Sequence, residues 1–148
     1  FVSTTFGGET LSLAAAIATI DYMVQFKTQE KIGEYGLMSQ IGLKEAIDSL
    51  RIGNLVSIYG LPHKNGILFK DFKDHKAMEL QTFYQKELLS KGILSYNVSY
   101  FMHSHKESDV KKLIEANKKV LSDLRDFVIQ DKHLANDILI NPIFQRNK

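Results

Sequence analysis

Apolar residues recur along this chain at steps of three and four, and this period predicts four helices. Two helices are expected over about 10–26 and 28–50. A third should begin at Asp74 and end before Gly92, and Ser104 should open a fourth. Thr28 is suited to be the N-cap of the second helix, since its hydroxyl can accept a backbone N–H.

Short β-branched and aromatic runs lie between the predicted helices and indicate strands. These runs span residues 55–59, 67–69, 93–94 and 98–102. The segment 60–66 between the first two runs is rich in glycine and proline, so it predicts a hairpin with a long loop. The order of elements indicates an α+β fold, with a small antiparallel sheet and helices packed on one side.

The first two predicted helices differ in how their apolar residues are arranged. Helix 10–26 is apolar on nearly all sides, as expected of a core helix or of a helix at an interface with another domain or subunit. The sequence leaves these two interpretations open. Helix 28–50 has one apolar stripe that includes Leu43 and Ile47, and its three glycines each lower helix propensity by up to about 1 kcal/mol. We therefore expect it to depend on tertiary contacts.

The fourth predicted helix is amphipathic. Ser104 and Glu107 have the spacing of a capping box, and an apolar side follows from Val110 to Val128. The opposite side carries lysines at positions 111, 112, 118 and 119. A solvent-exposed lysine face is the better interpretation, because a surface that binds nucleic-acid phosphates usually adds aromatic residues and arginines.

Composition excludes several classes of function. The 148 residues are 44% hydrophobic and 24% charged, as in an ordinary globular domain. A net charge of +2 is too small to indicate a nucleic-acid or membrane partner, and the absence of cysteine excludes disulfides and thiolate metal sites. The most apolar run, 11–20, is shorter than the ~20 residues that span a bilayer. A cytoplasmic protein is the expected default.

The opening segment of the chain runs from β-forming residues through two glycines into the first predicted helix. Gly7 and Gly8 permit a sharp turn and a close approach of another group, because neither carries a Cβ. Hydroxyl and free N–H groups ahead of a helix N-terminus suit an anion. A tight strand-to-helix turn with serine and threonine caps explains the same residues.

The segment Thr5-Phe6-Gly7-Gly8, followed by Leu11 to Ala15, resembles the Thr-Phe-Gly-Gly-Asn-Pro-Leu-Ala motif of class III aminotransferases. These are fold-type I enzymes that depend on pyridoxal 5'-phosphate, and the similarity is strongest to the glutamate-1-semialdehyde aminomutase-like branch. The resemblance implies that Thr5, with Thr4 and the backbone of Gly7, contacts the cofactor phosphate across a dimer interface. Glu9 and Thr10 replace the usual Asn-Pro, so the helix entry differs.

Two later segments follow in the order of the same family. Residues 91–94 resemble its Arg/Lys-Gly-hydrophobic strand entry, and residues 105–110 resemble its His-Thr-Glu-Glu-Asp-Ile helix start, with Lys106 in place of the threonine. The resemblance implies that residues 1–8 end the large cofactor domain. Residues 9–148 would then form an interdomain helix and the C-terminal small domain, although nothing beyond Arg125 has a counterpart.

The resemblance also implies which chemistry this chain lacks. The family's Schiff-base lysine, its pyridinium-binding aspartate and its glycine-rich phosphate loop lie upstream of the Thr-aromatic-Gly-Gly motif. The chain starts at Phe1 without a methionine, so we expect a C-terminal fragment of a homodimeric parent. No catalytic residue is expected within it. The fragment alone should neither hold the cofactor nor transfer an amino group.

Asn97 is the candidate substrate residue. In the aminomutases a glutamate tends to lie near this point and faces the substrate. Because Asn97 stands here instead, the identity of the amine and carbonyl substrates is not indicated. A strand-edge asparagine with no such role fits equally. His103 and His105 would share a face of a strand, as a metal pair could, but with no third ligand nearby we predict no metal site and a structural or capping role for His105.

A second interpretation needs no enzyme. The chain could be a stand-alone α+β binding or interaction domain, in which the opening motif is only a turn. Gly-x-Ser-x-Gly, Walker A and Gly-x-Gly-x-x-Gly motifs are absent from the sequence, so hydrolase, P-loop and dinucleotide-binding functions have no support.

Overall fold

The computed structural model describes residues 7–135 and residue 139, which form four helices and three strands. The elements in chain order are α1 (Thr10–Gln25), α2 (Thr28–Leu50), β1 (Val56–Leu61), β2 (Lys64–Phe69), α3 (Ala77–Ser90), β3 (Val98–Tyr100) and α4 (Glu107–Ile129). No helix in this described part combines the length and apolarity that crossing a membrane requires.

The three strands form one antiparallel sheet in the order β1-β2-β3. Its inner face carries Val56, Ile67 and Phe69, which are buried with residues of α2, α3 and α4 in a single core. Its outer face carries apolar residues that stay exposed, such as Leu61 and Leu68. The expected α+β fold with helices on one side of a small sheet is therefore confirmed.

The hairpin between β1 and β2 is tighter than its sequence predicts. Pairing continues to Leu61 and Lys64, so only Pro62 and His63 form the turn, and the expected loop over 60–66 is wrong. Gly66 belongs to β2, where a Cβ would lie 2.0 Å from the carbonyl oxygen of Asn97. Gly66, which the sequence places in a turn, therefore allows β2 and the Asn97 backbone to pack closely.

Helix α2 packs against both the hairpin and α4, as its glycines require. A Cβ on Gly36 would lie 1.6 Å from the Pro62 carbonyl oxygen, and one on Gly42 would lie 2.6 Å from the Ile114 side chain. The fully buried Asn65 donates from Nδ2 to the carbonyl oxygens of Gly36 and Pro62, at 3.2 and 2.9 Å. The predicted buried stripe is confirmed, and α2 makes the tertiary contacts on which we expect it to depend.

Three of the predicted helix caps are wrong. Thr28 lies inside α2, after Lys27 in a left-handed conformation. Helix α3 begins at Ala77 rather than after Asp74, and its first N–H donates to the Asp71 carboxylate at 2.8 Å. Helix α4 begins at Glu107, so Ser104 is not its cap. Several polar residues near each helix start compete as caps, and the path of the preceding loop selects among them.

The end of α3 agrees with its sequence. Gly92 has a φ of +76°, and the N–H of Ile93 donates to the Leu88 carbonyl at 3.0 Å, which is the closure expected of a C-terminal glycine. The segment 93–94 that follows is not a strand, because it makes no ladder pairing among the described residues. The lysine side of α4 is exposed as expected.

Helix α1 projects from the rest of the domain. None of its residues is buried among the described part of the chain, and Leu11 and Val24 are exposed by 76% and 71%. Among the described residues, the aromatic contact of α1 with the domain is made by its last turn, where the Tyr22 ring lies 5.6 Å from that of His103. Within the described residues α1 is therefore not part of the core, and its role as an interface stays a prediction. The expected apolar tail lies outside the described residues, except for residue 139.

Candidate functional site

The predicted phosphate-contact loop is described only from Gly7 onward. Thr4 and Thr5 lie outside the described residues. Gly7 and Gly8 form an exposed turn directly ahead of α1, and a Cβ on Gly8 would meet nothing within 4 Å. The backbone at this turn is therefore open to the approach of a ligand or of another protein surface.

Glu9 occupies the N-terminus of α1. Its two carboxylate oxygens accept from the N–H groups of Leu11 at 2.8 Å and Ser12 at 2.6 Å. Hydrogen bonds from Ser12, through its side chain and its backbone, and from the Leu11 N–H hold the pKa of Glu9 below its usual value. The helix end that seemed suited to an external anion is thus already bound by a negative side chain.

Asn97 is held in place by the chain around it. Its φ is 66°, its side-chain oxygen accepts from Gln85 Nε2 at 3.0 Å, and its carbonyl oxygen accepts from the Ile67 N–H at 3.0 Å. Its Nδ2 group has no hydrogen bond with any described residue. Asn97 therefore offers a fixed donor, as a substrate-recognition residue would require.

An open groove of about 630 Å³ runs past Asn97. Besides Asn97 it is lined by Tyr59, Ile67, Leu68, Phe69, Ala77, Met78, Gln81 and Tyr96. The lining is mostly apolar with amide groups at its edge, a composition suited to binding rather than to proton transfer. Gly7 is not part of this lining, so the described residues do not bring the two predicted sites together.

His103 and His105 do not form the metal pair that a shared strand face would allow. Strand β3 ends at Tyr100, so both histidines lie in the loop that follows. His105 Nδ1 accepts from the Met102 N–H at 3.1 Å, whereas His103 Nδ1 lies 3.4 Å from the Tyr22 hydroxyl. His105 thus has the structural, loop-capping role that the sequence predicts.

His75, Glu79 and His133 form a cluster that the sequence did not predict. His75 lies just before α3, Glu79 lies in the first turn of α3, and His133 follows α4. Glu79 lies 3.0 Å from His75 Nδ1 and 3.1 Å from His133 Nδ1, and the two imidazole rings stack with centroids 4.5 Å apart. The four-residue spacing of His75 and Glu79 was a visible signal. The third member, His133, gives no such signal because it lies 54 positions after Glu79.

Glu79 is the charged centre of this cluster. It is 7% exposed, and the N–H of Leu134 donates to its Oε1 at 2.8 Å. Burial acts to raise the pKa of Glu79, but the hydrogen bonds from Leu134, His75 and His133 outweigh it and hold the pKa below its usual value. The cluster therefore fastens the segment after α4 to the start of α3 through a carboxylate.

The described residues define a small one-sheet α+β domain with an exposed apolar helix, an apolar groove and a His-Glu-His cluster. Two described lysines, Lys111 and Lys119, have a raised pKa because they donate hydrogen bonds to Glu107 and Asp123. A raised pKa favours the protonated amine, which is not a nucleophile.

Comparison with models of known protein families and with curated proteins finds no match to this chain.

Proposed function

We propose that this chain is the C-terminal part of a cytoplasmic class III pyridoxal-phosphate-dependent aminotransferase or aminomutase. The observation that carries the proposal is the order of three family-like segments: Thr5-Phe6-Gly7-Gly8, then 91–94, then 105–110. The parent would be a homodimer that moves an amino group between an amine and a carbonyl compound. The Schiff-base lysine would come from the upstream part of that parent.

The positions of the two later segments support the proposal. Residues 91–94 end α3 and lead toward β3. Gly92, just after α3, has a positive φ, a conformation that favours glycine. Residues 105–110 form the entry of α4, where Asp109 accepts from the Lys106 N–H at 2.9 Å. Gly92 and Asp109 thus each have a structural role at a helix end, as the resemblance would require of residues that recur in the family.

The exposed apolar surfaces also support a larger parent. Helix α1 and the outer face of the sheet present side chains such as Ile17, Leu61 and Tyr100, exposed by 62%, 63% and 60%. Soluble domains seldom leave contiguous apolar surface uncovered unless a partner binds there. In this proposal the cofactor domain and the second subunit cover these surfaces.

The cofactor, when bound, supplies the electrophilic carbonyl and the electron sink. This chain would contribute only part of its site. Gly7 is exposed and Gly8 has open space around it, which leaves room for a phosphate to which the hydroxyls of Thr5 and Thr4 would donate. The Glu9 carboxylate already accepts from the first N–H groups of α1, so the phosphate would bind at the turn of Gly7 and Gly8 rather than at the helix end. Asn97 would donate from Nδ2 to the substrate.

In the full-length parent, Thr5→Val should weaken retention of pyridoxal phosphate about tenfold or more. A hydrogen bond to a charged group contributes about 1.5–3 kcal/mol, and valine keeps the shape of threonine without its hydroxyl. Retention is measured by dialysis while following the absorption band of the bound cofactor near the visible edge. Thr19→Val is the matched control, because that hydroxyl donates to Ala15 within α1. A parent that binds no pyridoxal phosphate would overturn the proposal.

The isolated 148-residue chain should self-associate through α1 as its concentration rises. Replacing Leu13 and Ile17 with glutamine should reduce the association, because both side chains are more than half exposed. Size-exclusion chromatography with light scattering gives the mass. A monomer at every concentration, with α1 still helical by circular dichroism, would favour the stand-alone binding domain instead.

A further inference from the structure

Strand β2 has an open edge beyond the point where β3 ends. Strand β3 pairs with the first three residues of β2, and the next hydrogen bond along this edge runs from the Ile67 N–H to the Asn97 carbonyl oxygen, at 3.0 Å. On the opposite edge the Lys70 N–H donates to the Leu55 carbonyl oxygen at 2.9 Å. Because backbone groups alternate between the two edges of a strand, those of Phe69 point to the same side as those of Ile67.

Two backbone groups on this edge have no partner among the described residues. They are the Ile67 carbonyl oxygen and the Phe69 N–H. Phe69 is only 6% exposed, and backbone groups in buried surroundings are nearly always hydrogen-bonded. An unpaired strand edge of this kind is a template on which another strand can pair.

This edge borders the open groove of about 630 Å³ that also passes Asn97. Helix α3 contributes Ala77, Met78 and Gln81 to the lining, and Tyr96, which is 77% exposed, completes it. None of the described lining residues is charged. A groove between a strand edge and a helix, with a largely apolar lining, suits an extended apolar segment whose backbone pairs with the strand.

The chain itself carries such a segment after α4. Residues 138–144, which we call the apolar tail, read Ile-Leu-Ile-Asn-Pro-Ile-Phe and hold no charge. Isoleucine and phenylalanine are among the residues that favour strands. Pro142 has no N–H to donate, but proline is tolerated as the first residue of a strand, and Ile143 and Phe144 follow it.

The described part of the chain brings the apolar tail within reach of the groove. The cluster around Glu79 holds the chain after α4 beside the start of α3, and Leu139 lines a cavity there together with Lys76. The groove begins at Ala77, the next residue of the chain. Five extended residues span about 16 Å, so residues 140–144 are long enough to run from Leu139 along the groove.

We propose that the apolar tail docks in this groove of its own chain, with Ile143 or Phe144 inserted between β2 and α3. The backbone of the tail pairs with the open edge at Phe69 and supplies the missing hydrogen bonds. This docking is a property of the chain by itself and does not depend on the proposed function. In the proposed parent, the docked tail and the substrate would compete for the end of the groove at Asn97.

Ile143→Ser combined with Phe144→Ser should free the edge of β2. Hydrogen exchange of the full 148-residue chain, followed by mass spectrometry, should be about tenfold faster in this variant at peptides that contain Phe69, because a tail docked about nine-tenths of the time leaves the amide open in about one molecule in ten. Gln145→Ser combined with Asn147→Ser is the matched control, since it alters the same end of the chain but keeps both apolar side chains. Circular dichroism checks that each variant is folded.

Engineered cysteines locate the docked tail, because the chain has none of its own. Met78→Cys combined with either Ile143→Cys or Phe144→Cys should form a disulfide within one molecule in at least one of the two pairs, since successive side chains of a strand alternate in direction. Leu61→Cys is the control partner. It lies at the hairpin end of β1, away from the groove, and should cross-link much less.

Equal exchange at Phe69 in the unaltered chain and in the variant with Ile143→Ser and Phe144→Ser would overturn the proposal. So would the failure of both Met78→Cys pairs to close within one molecule. A disulfide that forms only between two molecules would show that the groove binds a second copy instead. Cross-linking as frequent with Leu61→Cys as with Met78→Cys would show that the tail has no fixed place on the domain.

Discussion

Leu88→Ala should lower the free energy of unfolding by about 2–5 kcal/mol. Leu88 is fully buried in the core between α3, α4 and the sheet, and a large-to-small change there costs both the transfer energy of the lost methyl groups and the cavity that remains. Urea denaturation followed by circular dichroism measures the change, and an unaltered m-value would show that the unfolding transition is the same.

Leu89→Ala is the matched control for this prediction. Leu89 is the next residue of α3 and is 59% exposed, so the same substitution should change stability by no more than about 0.5 kcal/mol. The pair isolates burial from helix propensity, since both changes replace leucine with alanine in the same turn. Equal costs at the two positions would contradict the packing of α3 on the sheet and α4.

Gly36→Ala should destabilise the domain by about 1–3 kcal/mol or more, although alanine is the better helix former. A Cβ at this position would overlap the Pro62 carbonyl group, at 1.6 Å from its oxygen and 2.2 Å from its carbon. Backbone cannot rotate away as a side chain can. Relief would therefore require α2 and the hairpin to separate, which would also strain the hydrogen bonds of buried Asn65.

Gly33→Ala supplies the contrast on the same helix. A Cβ at Gly33 would meet nothing within 4 Å, so the helix propensity of alanine should stabilise α2 by up to about 1 kcal/mol. Thermal and urea unfolding of the two variants should therefore shift in opposite directions. A Gly36→Ala variant that is as stable as the unaltered chain, or more stable, would show that the hairpin turn does not rest on Gly36.

Periodicity predicted the interior of the domain well and its boundaries poorly. Leu43, Ile47 and Leu121 were expected inside, and all three are buried. A stripe of apolar residues can reach a core in only one orientation of its helix, so its burial is a local property of the sequence. The helix caps were harder to predict, because Asp71 accepts from the Ala77 N–H only when the loop between them folds back.

The candidate sites show the same difference between features that are local in the sequence and features that join distant segments. Thr4, Thr5, Gly7 and Asn97 were selected from short motifs, whose residues are neighbours in the chain. For Asn97 the structure adds a fixed side chain beside an open groove, whereas Thr4 and Thr5 lie outside the described residues. The cluster of His75, Glu79 and His133 joins two distant segments, so no local pattern could reveal that His133 belongs to it.

The sequence by itself determined the fold class, the buried faces of α2 and α4, and the glycine that closes α3, because these follow from local spacing and backbone freedom. Tertiary structure alone decided that α1 stays exposed, that Gly36 packs against the hairpin, that Gly66 serves strand packing rather than a turn, and that Glu79 joins two histidines. These features depend on which surfaces meet, and contacts between residues far apart in the chain leave no periodic signal in the sequence.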